Sequence, residues 1–396
     1  MTIAIVTGMG CVSAVGEGVE AFWNALLAGT TGIKEITEFS TEGLRNPRGG
    51  AVRLSENLRA FAVCEQVRAR LLVFAFAAID QALADASIDL TRLRASGRKV
   101  ALIVGTSLGM SLVAPETVLE QLAEFEGDRS NADLRALGEA IERRYGLEGE
   151  VVVVTTACAS STHAIALACD MIRQDGYDLV IAGGADSLDR MKLLGHTALS
   201  TLTPDVPRPF SRARDGTLFG EGAGFLVLTP GEEGSPPRYA ACVGAGFSTD
   251  VYHVTAPDPT GAGAAAAMRA ALADANVEPD AVGHVNLHGS GTTLNDAVEF
   301  HALSQVFGAR TASLPSTSIK AAIGHTMGAA GAIEAIATVL ALRDEVAPPT
   351  AYVAADDVAF DLDLVTVSAR RIGAMRFALS NSFGFGGANG ALLFGR

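Results

Sequence analysis

Apolar residues along this chain fall into short runs closed by glycine or hydroxyl residues, and the runs alternate with stretches of helical period. Val151–Val154 is four β-branched residues in a row and predicts a buried strand. Thr155 and Thr156 turn the chain, and Ile165, Cys169 and Ile172, at i, i+4 and i+7, predict a helix. It opens near Cys158 and stops at Gly176. Ile3–Thr7, Val100–Val104, Leu179–Ala182 and Gly224–Leu228 read as further strands. A helix is expected from about Glu65 to Ala84, and a charged helical stretch over 110–146. The polar, turn-rich segment Thr229–Pro237 marks an internal boundary.

Beyond that boundary the pattern restarts. Tyr239–Val243 running into Gly244-Ala245-Gly246 echoes Ile3–Thr7 running into Gly8-Met9-Gly10. A helix over Gly263–Ala275 leads to the strand His284–Leu287 and the loop His288–Thr292, which matches Val100–Val104 and Gly105-Thr106-Ser107. Ser316–His325 with the helix Met327–Leu342 echoes the strand, turn and helix around Cys158, and Gly386–Phe394 echoes Gly220–Leu228. Four echoes in one order indicate an internal duplication, with halves at 1–230 and 238–396. Alternating strands and helices make each half an α/β unit. Corresponding strand ends then converge, bringing Cys158 opposite His288 and His325.

Composition narrows the chemistry. Of 396 residues, 49% are hydrophobic and 19% charged, which gives a large core and leaves little room for disorder. A net charge of −14 argues against a nucleic-acid partner, and an anionic partner would need a local basic patch. The five cysteines show neither a disulfide framework nor metal spacing, which suits a reducing cytosol. No basic segment precedes an apolar one at the N-terminus, and the longest apolar run, Leu71–Ile79, is far shorter than a membrane span. A cytoplasmic protein without membrane contact is expected. Ser13 stands where a dinucleotide fingerprint needs a third glycine, so a nicotinamide site is disfavoured.

Cys158, at a strand end and in a helix's first turn, is the candidate nucleophile. Such a position can bring a thiol from ~8.5 into the range ~3.5–7.5, and Ala157 and Ala159 leave space for a substrate. A buried structural cysteine is the alternative. His288 and His325 close corresponding strands, and neutral imidazoles there can donate to a developing enolate oxygen. No ligand spacing supports a metal. Lys320, among small apolar neighbours, reads as buried and paired, with Glu334 a partner within reach. Asp296 and Glu299 have the spacing of a capping box. Phe383-Gly384-Phe385-Gly386-Gly387 is either a glycine-rich turn with core rings or a loop offering an N–H to an oxyanion and swinging a ring at a pocket.

Thr156-Ala157-Cys158, Arg208-Pro209-Phe210 with Arg214-Asp215-Gly216 and Gly220–Gly224, His288–Thr292, Lys320 through His325–Gly331, and Asn381–Gly387 occur here in an order seen in one group. Over nearly its whole length the chain resembles the β-ketoacyl-acyl-carrier-protein synthases, the elongating type II condensing enzymes. The ketosynthases of type II polyketide and aryl polyene pathways are included in that resemblance. It implies a thiolase-like, internally duplicated α/β/α/β/α fold and an acyltransferase forming carbon–carbon bonds by decarboxylative Claisen condensation. The implied partners are an acyl carrier protein and a second chain, identical or a related ketosynthase-like subunit. No cofactor is implied, because substrates arrive on the carrier's phosphopantetheine arm.

By resemblance, Cys158 takes the acyl group, and its N–H and that of Phe385 form the oxyanion hole. His288 and His325 promote decarboxylation of the malonyl group, and Lys320 supports them. Phe385 is the gating ring with Phe383 beside it, Ser290 and Thr292 hold the pantetheine arm, and Leu108 lines the acyl pocket. Arg68 and Arg70 are the expected carrier-protein contacts, a solvated helix face being the alternative. Ser290 stands where the family usually has Thr, Ala388 replaces the Thr of its GGTN motif, and the stretch after Leu188 departs from the fatty-acid pattern. A thiolase would need a second reactive cysteine, yet none lies beyond Cys242. A non-catalytic chain-length subunit would lack the nucleophile.

Overall fold

The computed structural model describes residues 2–64, 69–109, 134–147, 149–234 and 236–396. In chain order the principal strands are β1 (Thr2–Ser13), β2 (Val100–Gly105), β3 (Val151–Val154), β4 (Leu179–Asp186), β5 (Gly222–Glu232), β6 (Ala240–Thr249), β7 (Val282–Asn286), β8 (Ser316–Thr317), β9 (Phe377–Phe383) and β10 (Ala388–Gly395). They form one mixed sheet in the order β8-β7-β9-β10-β6-β1-β5-β4-β2-β3, with the short strand Gly16–Glu17 paired to β1 off this path.

The order repeats. From the centre outward, the first five strands run β1-β5-β4-β2-β3 and the last five β6-β10-β9-β7-β8. Pair orientations repeat with it: β2 is parallel to β3 and β4, and β7 is parallel to β8 and β9. The halves meet where β1 runs antiparallel to β6, Ala4 opposite Cys242.

The helices used below are α1 (Arg70–Asp85), α2 (Leu134–Tyr145), α3 (Ser160–Arg173), α4 (Arg190–Ala198), α5 (Ala262–Asp274), α6 (Thr293–Phe307) and α7 (Ala330–Asp344). Strand period sorts side chains between layers. On β4, Val180 and Ala182 join a core with Ile165 and Cys169 of α3 and Ile333 and Ile336 of α7. Leu179 and Ile181 face the opposite way, against Phe74 and Ile79 of α1 and Leu137 and Ile141 of α2. The second half has its own outer core, where Met268 and Leu272 of α5 and Leu303 and Phe307 of α6 pack on Val285 and Leu393. The stack is α/β/α/β/α, with α3 and α7 in the central layer.

The two glycine pairs that open the halves are packing devices rather than nucleotide loops. A Cβ on Gly10 would sit 1.9 Å from the Ala78 carbonyl oxygen of α1, and one on Gly246 would sit 2.1 Å from the Ala267 carbonyl oxygen of α5. Bare backbone on β1 and β6 lets each outer helix lie directly on its strand. Among the described residues, no helix is long and apolar enough to cross a membrane.

Candidate active site

Val151–Val154 is a strand but not the buried one its β-branched run predicts: it ends the sheet order, with Val152 38% exposed, and the turn after it is tight. Ala157 holds φ 52°, an unusual angle for a residue with a Cβ. The Ser160 hydroxyl locks the turn, accepting from the Thr156 N–H and lying within donating distance of the Ala157 carbonyl at 2.6 Å and the Thr106 carbonyl at 3.0 Å. Helix α3 therefore begins at Ser160 with Ala159 as its cap, and Cys158 stands just before the helix, not within its first turn.

That offset and burial change the expected ionisation. Burial pushes the Cys158 thiol up to about 11; Asp186 and Glu334 act in the same direction, and Lys320 and the Phe385 N–H oppose them. That direction is opposite to the lowering expected of a thiol at a helix N-terminus.

Cys158, His288 and His325 line one cavity of 330 Å³, together with Ser290, Thr292, Phe383 and Phe385. The imidazole rings are 5.3 Å apart, edge to face at 83°. Each is oriented through Nδ1. His325 Nδ1 accepts from the Met327 N–H at 3.2 Å, and His288 Nδ1 accepts from Lys320 Nζ, also at 3.2 Å. With both Nδ1 lone pairs used, the ring proton of each neutral imidazole belongs on Nε2. Burial and the Lys320 charge hold both rings well below the ordinary histidine range, so both are neutral donors.

Lys320 is 1% exposed and forms an ion pair with the equally buried Glu334 of α7, as its small neighbours suggested. Burial raises the Glu334 carboxyl to about 7 against the pull of Lys320. Asp296 and Glu299 are not a capping box. Thr292 caps α6, accepting from the Asn295 N–H at 3.3 Å. Glu299 accepts from the His288 and Gly289 N–H groups, each at 2.8 Å, and Asp296 from Phe210 at 2.7 Å and Gly291 at 3.2 Å. The two buried acids brace the loop that carries His288 and Ser290.

Ser290 and Thr292 are joined by a 2.9 Å hydroxyl contact at the cavity wall. Phe383 is buried and tilted against His288 at 5.7 Å, whereas Phe385 is 37% exposed and its backbone N–H favours the ionised form of Cys158. Leu108 follows β2, is 54% exposed and lies off the wall of the 330 Å³ cavity. Arg68 lies outside the described residues. Arg70 is not available to a partner as expected. Its guanidinium forks onto the buried Glu221, with Nε–O distances of 2.9 and 3.0 Å, and also reaches the Val52 carbonyl. Glu221 needs that cation, since burial raises its carboxyl while Arg70 lowers it.

Three contributors escaped the sequence reading. Asp186 accepts from the Ser107 N–H at 2.8 Å and the Gly328 N–H at 2.7 Å, and pairs with Lys192 at 3.1 Å. It pins the two halves together beside Cys158. His196 and Phe219 line the cavity next to Phe385 and His325. No periodicity marks any of the three, because Asp186 at the end of β4, His196 on α4 and Phe219 between elements meet their partners only on folding.

Comparison with known proteins agrees with this geometry. Residues 2–234 match the family description "Beta-ketoacyl synthase, N-terminal domain" and residues 239–354 "Beta-ketoacyl synthase, C-terminal domain". A Vibrio cholerae serotype O1 protein named 3-oxoacyl-[acyl-carrier-protein] synthase 2 is 34% identical, over 99% of this chain and 98% of its own. A solved β-ketoacyl synthase from Burkholderia phymatum STM815 superposes with a TM-score of 0.87 at 30% identity, covering 100% of both chains. A chain of the ishigamide ketosynthase/chain length factor structure gives 0.84 at 32% identity, covering 99% of this chain and 98% of that one. From its duplicated fold to its paired imidazoles, the chain belongs to the β-ketoacyl synthase family.

Proposed function

We propose that the chain is a 3-oxoacyl-acyl-carrier-protein synthase that loads an acyl group on Cys158 and extends it with malonyl-carrier protein. The observation that carries this reading is a thiol sharing one cavity with two neutral imidazoles, each held as an Nε2–H donor by its neighbours. In the first step Cys158 sulfur attacks the acyl thioester, and the thiol proton ends on the departing pantetheine sulfur. The Cys158 and Phe385 N–H groups receive the oxyanion, and Ser290 and Thr292 hold the arm. In the second step the malonyl carboxylate leaves as CO2, and the His288 and His325 Nε2–H groups stabilise the enolate oxygen. The enolate carbon bonds to the acyl carbon, the Cys158–acyl bond breaks, and the sulfur takes up a proton from solvent. Lys320 holds His288 in the donating tautomer. Phe385 gates the cavity, and the chain's own groups fill each role without a cofactor.

We read the assembly as a dimer with an identical or related ketosynthase-like chain. β3 is the outer strand of the sheet, apolar along its length with Val152 38% exposed, and Leu108 lies exposed at the end of the neighbouring β2. An open apolar edge of this kind is a template for pairing. The halves 1–230 and 238–396 are read as the two copies of a duplication, supported by their common strand order. Free cysteines throughout favour a reducing, cytoplasmic setting. A chain-length subunit without catalysis is disfavoured by the presence of Cys158.

Intact mass after incubation with a panel of acyl-carrier proteins tests the activity. Acyl adducts on the enzyme, absent from Cys158→Ala, and condensed product lost in His288→Ala are expected. An adduct that survives Cys158→Ala would refute the assignment.

A further inference from the structure

The His196 imidazole lies near the end of α4. Its carbonyl accepts from the Thr201 N–H at 3.1 Å and from the Thr201 hydroxyl at 3.2 Å. The same hydroxyl lies 3.0 Å from His196 Nδ1, which ties the ring to the segment at Thr201. Burial brings the imidazole down to about 4, so it is neutral wherever the enzyme works. His196 therefore contributes no charge to the cavity; it contributes a flat ring.

That ring belongs to a series. It lies 4.0 Å from Phe219 at 35° and 5.8 Å from Phe385 at 37°. Phe219 is stacked in turn on His325, 5.5 Å apart at 17°. The backbone enforces the inner contact, because Phe219 and His325 face each other across a parallel bridge. The His325 N–H donates to the Leu218 carbonyl at 2.8 Å and the Gly220 N–H to the His325 carbonyl at 3.0 Å. On the same run, the Thr217 N–H donates to the Thr201 carbonyl at 2.9 Å, tying the His196 end alongside. At the outer end Phe385 is followed by Gly386 at φ 79° and Gly387 at φ 77°; a Cβ on Gly386 would touch nothing within 4 Å, and its N–H donates to the Val254 carbonyl at 2.7 Å.

We propose that His196 is a positioning residue, the seat on which the Phe385 ring rests, and that through Phe219 it fixes the plane of the His325 imidazole. The proposal rests on the reading of Phe385 as the gate. When an acyl chain enters, Phe385 leaves the seat and the ladder Phe385–His196–Phe219–His325 loses its outer rung. When the ring returns, His325 is again held square to the enolate. Loading of Cys158 and decarboxylation of the malonyl group thus favour opposite positions of one ring.

His196→Ala, His196→Phe and Phe385→Ala in the full-length enzyme test this, with acyl- and malonyl-carrier protein as probes. Acylation of Cys158 and condensation by the pre-acylated enzyme are timed separately. For His196→Ala, condensation falls roughly three- to tenfold, the range an aromatic contact supports. KM for malonyl-carrier protein stays within about twofold and acylation is unchanged or faster. His196→Phe, which keeps the ring face and loses both nitrogens, restores condensation. If His196→Ala does not fold, His196→Leu fills the space without a ring and takes its place. Parental condensation in the ringless variant, or equal loss in a well-folded His196→Phe, overturns the proposal. If Phe385→Ala alters neither step, the gate reading itself falls, and the seat falls with it.

Discussion

At the scale of single residues, the proton on Cys158 is the decisive quantity. A thiol at about 11 leaves a thiolate fraction on the order of 10⁻⁴ at neutral pH. The rate of Cys158 alkylation by iodoacetamide is expected to rise about tenfold per pH unit between pH 7 and 9. A plateau below pH 8 would instead show the ionised thiol that the helix terminus suggested. Arg70 makes a second case. Removing it in Arg70→Ala strands the Glu221 carboxylate among the Val52 and Leu188 N–H groups, and breaking a buried pair costs roughly 3–5 kcal/mol. Urea unfolding should show that loss. Unchanged stability with weaker carrier binding would return Arg70 to the surface role. Cys158, His288, His325 and Lys320 were legible in the sequence because each interrupts an apolar or small-residue run with reactive chemistry. Glu299 and Asp186 were not, since their partners are backbone N–H groups brought together by folding.

At the scale of elements, hydrophobic period located strands and helices among the described residues and the structure moved their ends, while 65–68 and 110–133 of two expected helical stretches lie outside those residues. β1 runs to Ser13 and not to Thr7, because Gly8 and Gly10, which the apolar pattern left outside the strand, continue it under α1. The helix opening near Cys158 begins two residues later, because the Ser160 hydroxyl serves the preceding turn. The echo of Gly8-Met9-Gly10 in Gly244-Ala245-Gly246 was readable, but its meaning was not, since close helix approach and phosphate binding ask for the same residue. Gly246→Val puts side-chain atoms into the Ala267 carbonyl of α5 and is expected to destabilise the fold by roughly 1–3 kcal/mol or more. Thermal melting measures it. An unchanged midpoint would mean that α5 rides farther from β6 than described.

At the scale of the whole molecule, the duplication was legible from four echoes in one order, and the sheet repeats it strand for strand. What the echoes could not give was the seam, where Ala4, Ile5 and Val6 of β1 pair with β6. The open end of the sheet carries the last prediction. Val152→Arg on β3 sets a charge into the pairing edge, and sedimentation should shift from dimer toward monomer. A dimer unaffected by this change would place the interface elsewhere. The position of β10 has a further consequence. It lies between β9 and β6, next to the seam, yet it is the last of these strands to be synthesised. Until residues 388–395 emerge from the ribosome, β6 and β9 each keep a bare flank, and the His288 loop hangs on an unfinished half. Two raw sheet flanks in the second half must therefore stay sheltered from stray pairing until that last-made strand slots between them.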